Sequence, residues 1–375
     1  MSRVKKLFGY LSEENAFYIG FTLFFFTCWM SQTSFNYNKL PLLVLSVFFF
    51  IYKNLHTSFS KIELFAGILI FGVGACSYLS TGSTSAIWCA IIVISMKNVS
   101  LKKVLKIMLF VSMAITTLVI LMSLCGISGE VSKVYFGRNI NSEIRYHLGV
   151  NHPNDLHFRY LFALALIFGL CYERINIYHY GILFALNLGL SKLTLSRTGF
   201  ICCSALILAM AAFRYLPGIF KTKASYILIN IGCVMCILMS IIGIAGFNGN
   251  SSIWTRIDKV ASGRLDLGNQ CLATYGLSLF GNKVEGYIFD MGIPRVLIED
   301  GILFFIIVYV GMFFVMKYFY TKKQYRYIII IAVFLLYSMS ERMNMYAYYN
   351  VQIVLMGYAM WKIFDDKNKE KEAIL

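Results

Sequence analysis

The chain has 375 residues, 59% of them hydrophobic and only 14% charged, with a mean hydropathy of +0.69. A soluble domain carries about 25% charged residues, so this composition excludes a soluble fold and specifies a polytopic membrane protein. The 34 Lys and Arg against 18 Asp and Glu leave a net charge of +16, yet no long basic block occurs, which argues against a nucleic-acid partner.

A spanning helix takes roughly 17–25 mostly apolar residues. In chain order, apolar stretches at 16–31, 40–52, 63–79, 85–96, 104–125, 156–172, 178–195, 199–215, 226–247, 296–316, 327–339 and 345–364 predict helices. The predicted fold is an all-α polytopic membrane protein with about 12 transmembrane helices, residues 1–375 forming one membrane domain. The second and fourth stretches are short for a full crossing; if re-entrant, they lower the count to ten or eleven. With the N-terminus in the cytoplasm, every short cytoplasmic connection carries a basic residue, among them Lys53, Lys97, Arg174, Lys221 and Lys323. That distribution obeys the positive-inside rule and puts both termini inside. No cleavable signal peptide is expected, because no small-residue cleavage site follows the first apolar run. The ten cysteines lack metal or redox spacing and read as buried free thiols.

Two outer connections are longer than the rest, 126–155 and 248–295. Their mix of aromatics, glycines and balanced charge is not that of disorder, and both are expected to fold over the outer mouth of the bundle. No internal repeat and no inverted pair of broken helices is seen.

The fifteen residues Arg145–Arg159 concentrate polar chemistry: Arg145, His147, His152, Asp155, His157 and Arg159 stand together just before an apolar helix. Pro153 stiffens the turn after His152, and Asn or Asp there suits a helix cap. His152 is favoured for function and His147 and His157 as interfacial side chains without chemistry. Further outer basic residues are Arg138, Lys192, Arg197, Arg256, Arg264 and Arg342. Arginine's fork of donors suits phosphate oxygens. Arg197, between two apolar helices, either faces a polar cavity or snorkels to headgroups. Ser196, Thr198 and Gly199 beside it offer either an anion site at a helix start or an ordinary N-cap. Glu299 opens a membrane helix, as an electrostatic cap or as a site residue. Asp258 and Asp266 bracket a turn at Ser262-Gly263 and are expected to orient Arg264. No constellation suggests a metal site, a Gly-x-Ser-x-Gly elbow or a phosphate loop.

Gly149-Val-Asn-His-Pro-Asn154, Leu195-Ser-Arg-Thr-Gly199 and Ala261-Ser-Gly-Arg264, in this order and all on the outer side, resemble the O-antigen ligase/polymerase superfamily, in particular its Wzy-type polysaccharide polymerases. The resemblance implies a multi-span glycosyltransferase of the lipid-phosphate-sugar type, needing no metal or other cofactor, in the bacterial cytoplasmic membrane. It would join undecaprenyl-diphosphate-linked oligosaccharide units into capsular or O-antigen polysaccharide, with that lipid-linked oligosaccharide, membrane lipid and a chain-length regulator as its partners. Its catalytic residues would be His152, Arg197 and Arg264. Arg145, Asn154, Ser196, Thr198, Arg256, Glu299 and Arg342 would bind the diphosphate or sugar. A ligase of the same superfamily and a flippase of lipid-linked oligosaccharide are the competing expectations.

Overall fold

The protein is described here by a computed structural model that covers residues 11–35, 37–136, 142–287, 289–342 and 346–374. Helix forms at each of the twelve apolar stretches. These helices are α1 (Glu13–Met30), α2 (Leu40–His56), α3 (Lys61–Thr81), α4 (Ser85–Ser95), α5 (Leu101–Leu124), α6 (Pro153–Cys171), α7 (Ile177–Thr194), α8 (Arg197–Tyr215) and α9 (Lys223–Ala245). After α10 (Ser252–Val260) and α11 (Arg264–Tyr275) in the second long connection come α12 (Ile302–Thr321), α13 (Tyr325–Ser338) and α14 (Val351–Ile374). Among the described residues six helical segments are long and apolar enough to cross a membrane, those of α3, α5, α6, α8, α9 and α12, while α2, α4 and α13 are apolar but shorter. At 1.5 Å per residue α4 reaches only about 17 Å, well short of a ~30 Å hydrocarbon core.

α6 lies at the centre. It buries Leu156, Phe158, Leu161, Phe162, Leu164 and Phe168 on all its faces, the mark of a helix enclosed by others. α13 is enclosed in the same way, from Tyr327 to Ser338. Outward-facing Leu40, Val44, Phe65, Ile68, Leu228 and Met239 leave the periphery apolar, as lipid contact requires.

The connections gather at two ends. At one, Thr33 bridges Val150, Arg145 reaches the Thr194 carbonyl, and the Ser80 hydroxyl donates to the Gly281 carbonyl at 2.9 Å. At the other, Lys53 donates to the Lys97 carbonyl at 2.7 Å, Lys97 pairs with Glu63 at 2.5 Å, and Lys322 pairs with Asp366 at 2.9 Å. Both long connections therefore share one end with the turns after α1, α3, α7 and α13.

Two expectations need correction, and the all-α reading takes one addition. In the first long connection β1 (Ser132–Phe136) and β2 (Ser142–Tyr146) form an antiparallel ribbon with Lys133 opposite Arg145. Val, Tyr, Phe and Ile in these runs favour strand. Asp258 and Asp266 do not orient Arg264 by pairing with it, as the site geometry below shows. The helix expected over 296–316 is broken. A helical turn, Gly292–Arg295, continues as a π-helical turn, Val296–Asp300, and stops at Gly301, whose φ is 94°.

The break is filled by the second long connection. The N–H groups of Ile302 and Leu303 donate to the carbonyls of Ser278 and Leu279 at 3.0 and 3.2 Å, and the Asn282 N–H donates to the Ile298 carbonyl at 3.0 Å. The backbone groups that a broken helix leaves open are thus satisfied by protein, as a membrane setting demands. The contact is backbone on backbone. A Cβ on Gly281 would run into the Glu299 carbonyl, and one on Gly301 into Phe280 and Gly281. Gly286 shares a left-handed backbone (φ 81°) but has nothing within 4 Å of a Cβ position. Gly286→Ala is therefore expected to cost only the backbone strain, about 1–3 kcal/mol. Gly281→Ala should lose much more, visible as a lower unfolding temperature and less monodisperse protein on size exclusion in detergent. Equal losses would refute the clamp.

Candidate functional site

The sequence His152-Pro153-Asn154 builds the start of α6. Pro153 takes the first helical position, where no N–H is required, and His152 is the cap, its Nδ1 accepting the Asn154 N–H at 3.1 Å. The cap expected from Asn or Asp is thus supplied by histidine, and the Asn154 amide is free for a different task. Its Oδ1 accepts from Arg145 Nη2 at 2.8 Å, and its Nδ2 donates to Glu341 Oε1 at 3.0 Å.

Glu341 follows α13 and receives a second donor, Arg264 Nη2, at 2.7 Å on the same Oε1. Arg264 opens α11. Asp258 Oδ1 accepts the Leu265 N–H at 2.9 Å, and Asp266 accepts from Gln270 at 3.0 Å. Asp258 therefore caps α11, which sets the direction of Arg264 through the backbone rather than by charge pairing. Asp290 lies 3.9 Å from both Arg264 Nη2 and Arg342 Nε. On the far side Arg145 Nε donates to the Thr194 carbonyl at 2.7 Å, just before the turn that carries Ser196 and Arg197. Arg145 also lies over the Tyr135 ring of β1, 5.3 Å from its centroid. One run of polar contacts thus links β2, the α7–α8 turn, the head of α6, the head of α11 and the segment after α13.

Burial decides the protonation of this network. Burial pushes the Glu341 carboxyl up to about 7; the Arg264 cation opposes the rise and Asp290 adds to it. A 2.7 Å ion pair would by itself lower the value, so desolvation outweighs pairing here. Burial pulls His152 down to about 4, with Arg145, Arg342 and His147 acting the same way and Asp290 against them. His152 is neutral at pH 7. Because its Nδ1 accepts a hydrogen bond, the proton is assigned to Nε2, making that atom a donor. Burial also lowers Arg145, opposed by Tyr135, Glu143 and Glu341, and arginine stays a cation regardless.

The remaining predicted residues are placed as follows. Ser196 is buried and caps α8, accepting the Gly199 N–H at 3.4 Å. Thr198 is half-buried and Arg197 exposed. Among the described residues Arg197 has no ion pair or side-chain hydrogen bond, and neither has Arg256, exposed on α10. Glu299 pairs with Arg295 one turn back at 2.6 Å and, among the described residues, makes no bond to the network. Lys192 is exposed at the end of α7, and Arg138 lies outside the described residues. His147 donates to the Val150 carbonyl at 2.6 Å. His157 is buried between Thr194 Oγ1 (3.0 Å) and Asn187 Oδ1 (2.9 Å). Arg159 is buried against the carbonyls of Trp29 and Gln32, both at 3.2 Å, with Asp155 at 3.6 Å.

Glu341 and Asp290 are the residues that sequence reasoning left out of the site. Glu341 carried a usable signal, a carboxylate in a short connection between two apolar helices, which is the same kind of position that singled out Arg197. Asp290 carried none, because it reaches the site through the fold of the second long connection. Among the described residues no group of three or more His, Cys, Asp or Glu is placed to hold a metal ion. A groove of about 760 Å³ runs along α5 from Lys106 to Leu121 and contains none of these network residues.

No protein-family model, curated protein or solved structure matches the chain.

The geometry sets a pH-dependent expectation. Asn154→Ala removes two hydrogen bonds and should cost about 1–3 kcal/mol. Asn154→Asp puts a carboxylate against Glu341 Oε1. Above pH 7 both are ionised and repel; as pH falls below about 7, Glu341 takes a proton and can donate to the new carboxylate. Thermal unfolding should therefore show Asn154→Asp less stable than Asn154→Ala at pH 8, with the gap closing toward pH 6. A gap independent of pH would contradict the raised Glu341 value.

Proposed function

We propose that this chain is a polysaccharide polymerase that joins undecaprenyl-diphosphate-linked oligosaccharide units at the outer face of the bacterial cytoplasmic membrane. In this reading the chain crosses about twelve times, the short α4 with the help of its flanking residues, the end holding the two long connections faces outward, and both termini are cytoplasmic. One observation carries the reading. Two of the three motifs behind the resemblance lie far apart in the chain, yet Asn154 and Arg264 meet on Glu341, and Arg145, bound to Asn154, reaches the Thr194 carbonyl just before the third motif.

The chemistry follows from the charges. An acceptor hydroxyl attacks the anomeric carbon of the donor chain; the bond from that carbon to the phosphate oxygen breaks, and its electron pair leaves with the lipid diphosphate. Fixed cations stabilise the charge that develops on the leaving group. Arg264 is held in place by Glu341 and Arg145 by Asn154 and Thr194, while Arg197 and Arg342 complete the clamp. Neutral His152 donates its Nε2–H to a diphosphate oxygen, which makes it a contact and not the base. The proton of the acceptor hydroxyl goes to Glu341, whose value of about 7 suits a group that must gain and lose a proton near neutrality. Both existing bonds fall on its Oε1, which leaves Oε2 to accept.

Purified protein supplied with lipid-linked repeat units tests this. Ladder formation is expected, rising with pH through about 7 as Glu341 ionises. Arg264→Ala and Arg197→Ala should each lower the rate roughly 10²–10³-fold, leaving single units on lipid. Glu341→Gln should remove the pH-dependent rise. Normal ladders in both arginine variants would overturn the clamp; an unchanged pH profile in Glu341→Gln would overturn the base. One-step transfer to a different acceptor would make the protein a ligase, and no transfer at all would favour a flippase.

A further inference from the structure

The opposite end of the bundle holds a second concave feature. The turns after α6, α8 and α12 enclose a cavity of about 660 Å³ whose charged lining is Lys221, Lys323 and Arg326 against one carboxylate, Glu173. Its floor is aromatic. Phe213 stacks on Tyr172 with ring centroids 5.0 Å apart and meets Tyr325 at 5.9 Å.

Three observations make this more than a set of basic residues at helix ends. The Arg326 Nε is buried and has no hydrogen-bond partner, although a buried donor normally finds one. Its nearest carboxylate oxygen, on Glu173, is 3.7 Å from Nη1, and the Glu173 side chain is 81% exposed. The pair is therefore loose, and the guanidinium is held instead over the Tyr327 ring, 5.1 Å from its centroid. Lys323 stands in the left-handed region at φ 56°, where it ends α12: its N–H donates to the Tyr320 carbonyl at 3.0 Å and the next N–H, of Gln324, to the Phe319 carbonyl at 2.8 Å. Glycine usually fills such a helix stop. A lysine there opposes the backbone preference and brings a cation to the cavity rim. Snorkelling explains an exposed lysine, but not a buried guanidinium nitrogen without a hydrogen-bond partner beside an aromatic-floored cavity.

We propose that this cavity binds a phosphate-bearing anion, with Arg326, Lys323 and Lys221 taking the phosphate oxygens and the less polar part lying on Tyr172, Phe213 and Tyr325. Arginine and lysine are the side chains suited to phosphate. Glu173 is the anion that the ligand displaces. A phospholipid headgroup and a soluble diphosphate share this chemistry, and the proposal does not depend on the reaction assigned to the other end.

The test uses the full chain in phosphatidylcholine nanodiscs. Inorganic pyrophosphate is titrated by calorimetry in one arm; in the other, phosphatidylglycerol is added to the discs and its retention read by native mass spectrometry. Arg326→Gln and Lys323→Gly should each weaken binding about tenfold, the range of a lost charge-assisted hydrogen bond. Glu173→Gln should tighten it. Lys323→Gly relieves the backbone, so its unfolding temperature should hold or rise while binding falls, which separates ligand contact from misfolding. A response to phosphatidylglycerol alone identifies a headgroup and a response to pyrophosphate alone a soluble ligand, and either supports the site. Anion bound at the opposite end remains as a residual common to all variants. Equal affinity of the wild type and the three variants in both arms would overturn the proposal.

Discussion

The arrangement of the loop-bearing end depends on one buried carboxylate. Glu341 is almost fully enclosed, and a buried carboxylate must be paired or take up a proton. It does the first through Asn154 and Arg264 and is poised for the second by its raised value. Because the two donors come from the head of α6 and the head of α11, satisfying one oxygen ties both long connections to the segment after α13. Removing either donor would leave the carboxylate under-satisfied, so the segments are held together by the cost of separating them as much as by net attraction.

The dense polar stretch from Arg145 to Arg159 divides into two roles once its partners are visible. Arg145, His152 and Asn154 turn toward the network. His147, His157 and Arg159 turn inward and satisfy backbone or buried side-chain groups of the fold. Gly199 shows how closely this second set is packed, since a Cβ there would meet the His157 ring. The helical path explains part of the split. Asn154 and Phe158 are four residues apart and so lie one above the other, while His157 and Arg159, on either side of Phe158, point to other faces, toward α7 and α1.

Hydropathy was enough to find the helices, because a twelve-fold alternation of apolar runs and basic turns is a long-range pattern that few folds can produce. It did not place the break at Gly301, because Glu299-Asp300-Gly301 before a long apolar run reads as the start of a helix rather than as an interruption of one; the break exists because Gly281, twenty residues earlier, brings its own backbone against it. The ribbon in the first long connection was missed for the opposite reason, its two five-residue runs being too short to stand out in a chain so rich in aromatics. For the site, the cations were visible as charges in an apolar chain. Their partners were not, because Asp258 and Asp266 are the near neighbours of Arg264 in sequence while Glu341 is its neighbour in space. Proximity in sequence favoured the wrong carboxylates, and helix capping then consumed one of them.

The network also separates fixed cations from free ones. Arg145 and Arg264 are held by bonds at both or one of their nitrogen positions, so an anion meeting them would find donors already oriented. Arg197 and Arg256 are exposed and, among the described residues, unpaired. An exposed arginine carries about 2 kcal/mol of side-chain entropy, much of it lost when the guanidinium is fixed by a ligand. The two kinds suit different moments of a binding event. Fixed cations define where a phosphate can sit, and a free one beside them can close on it after arrival. Arg197 has the better position for this, because its turn is anchored to Arg145 through Thr194 while its own side chain is not anchored at all.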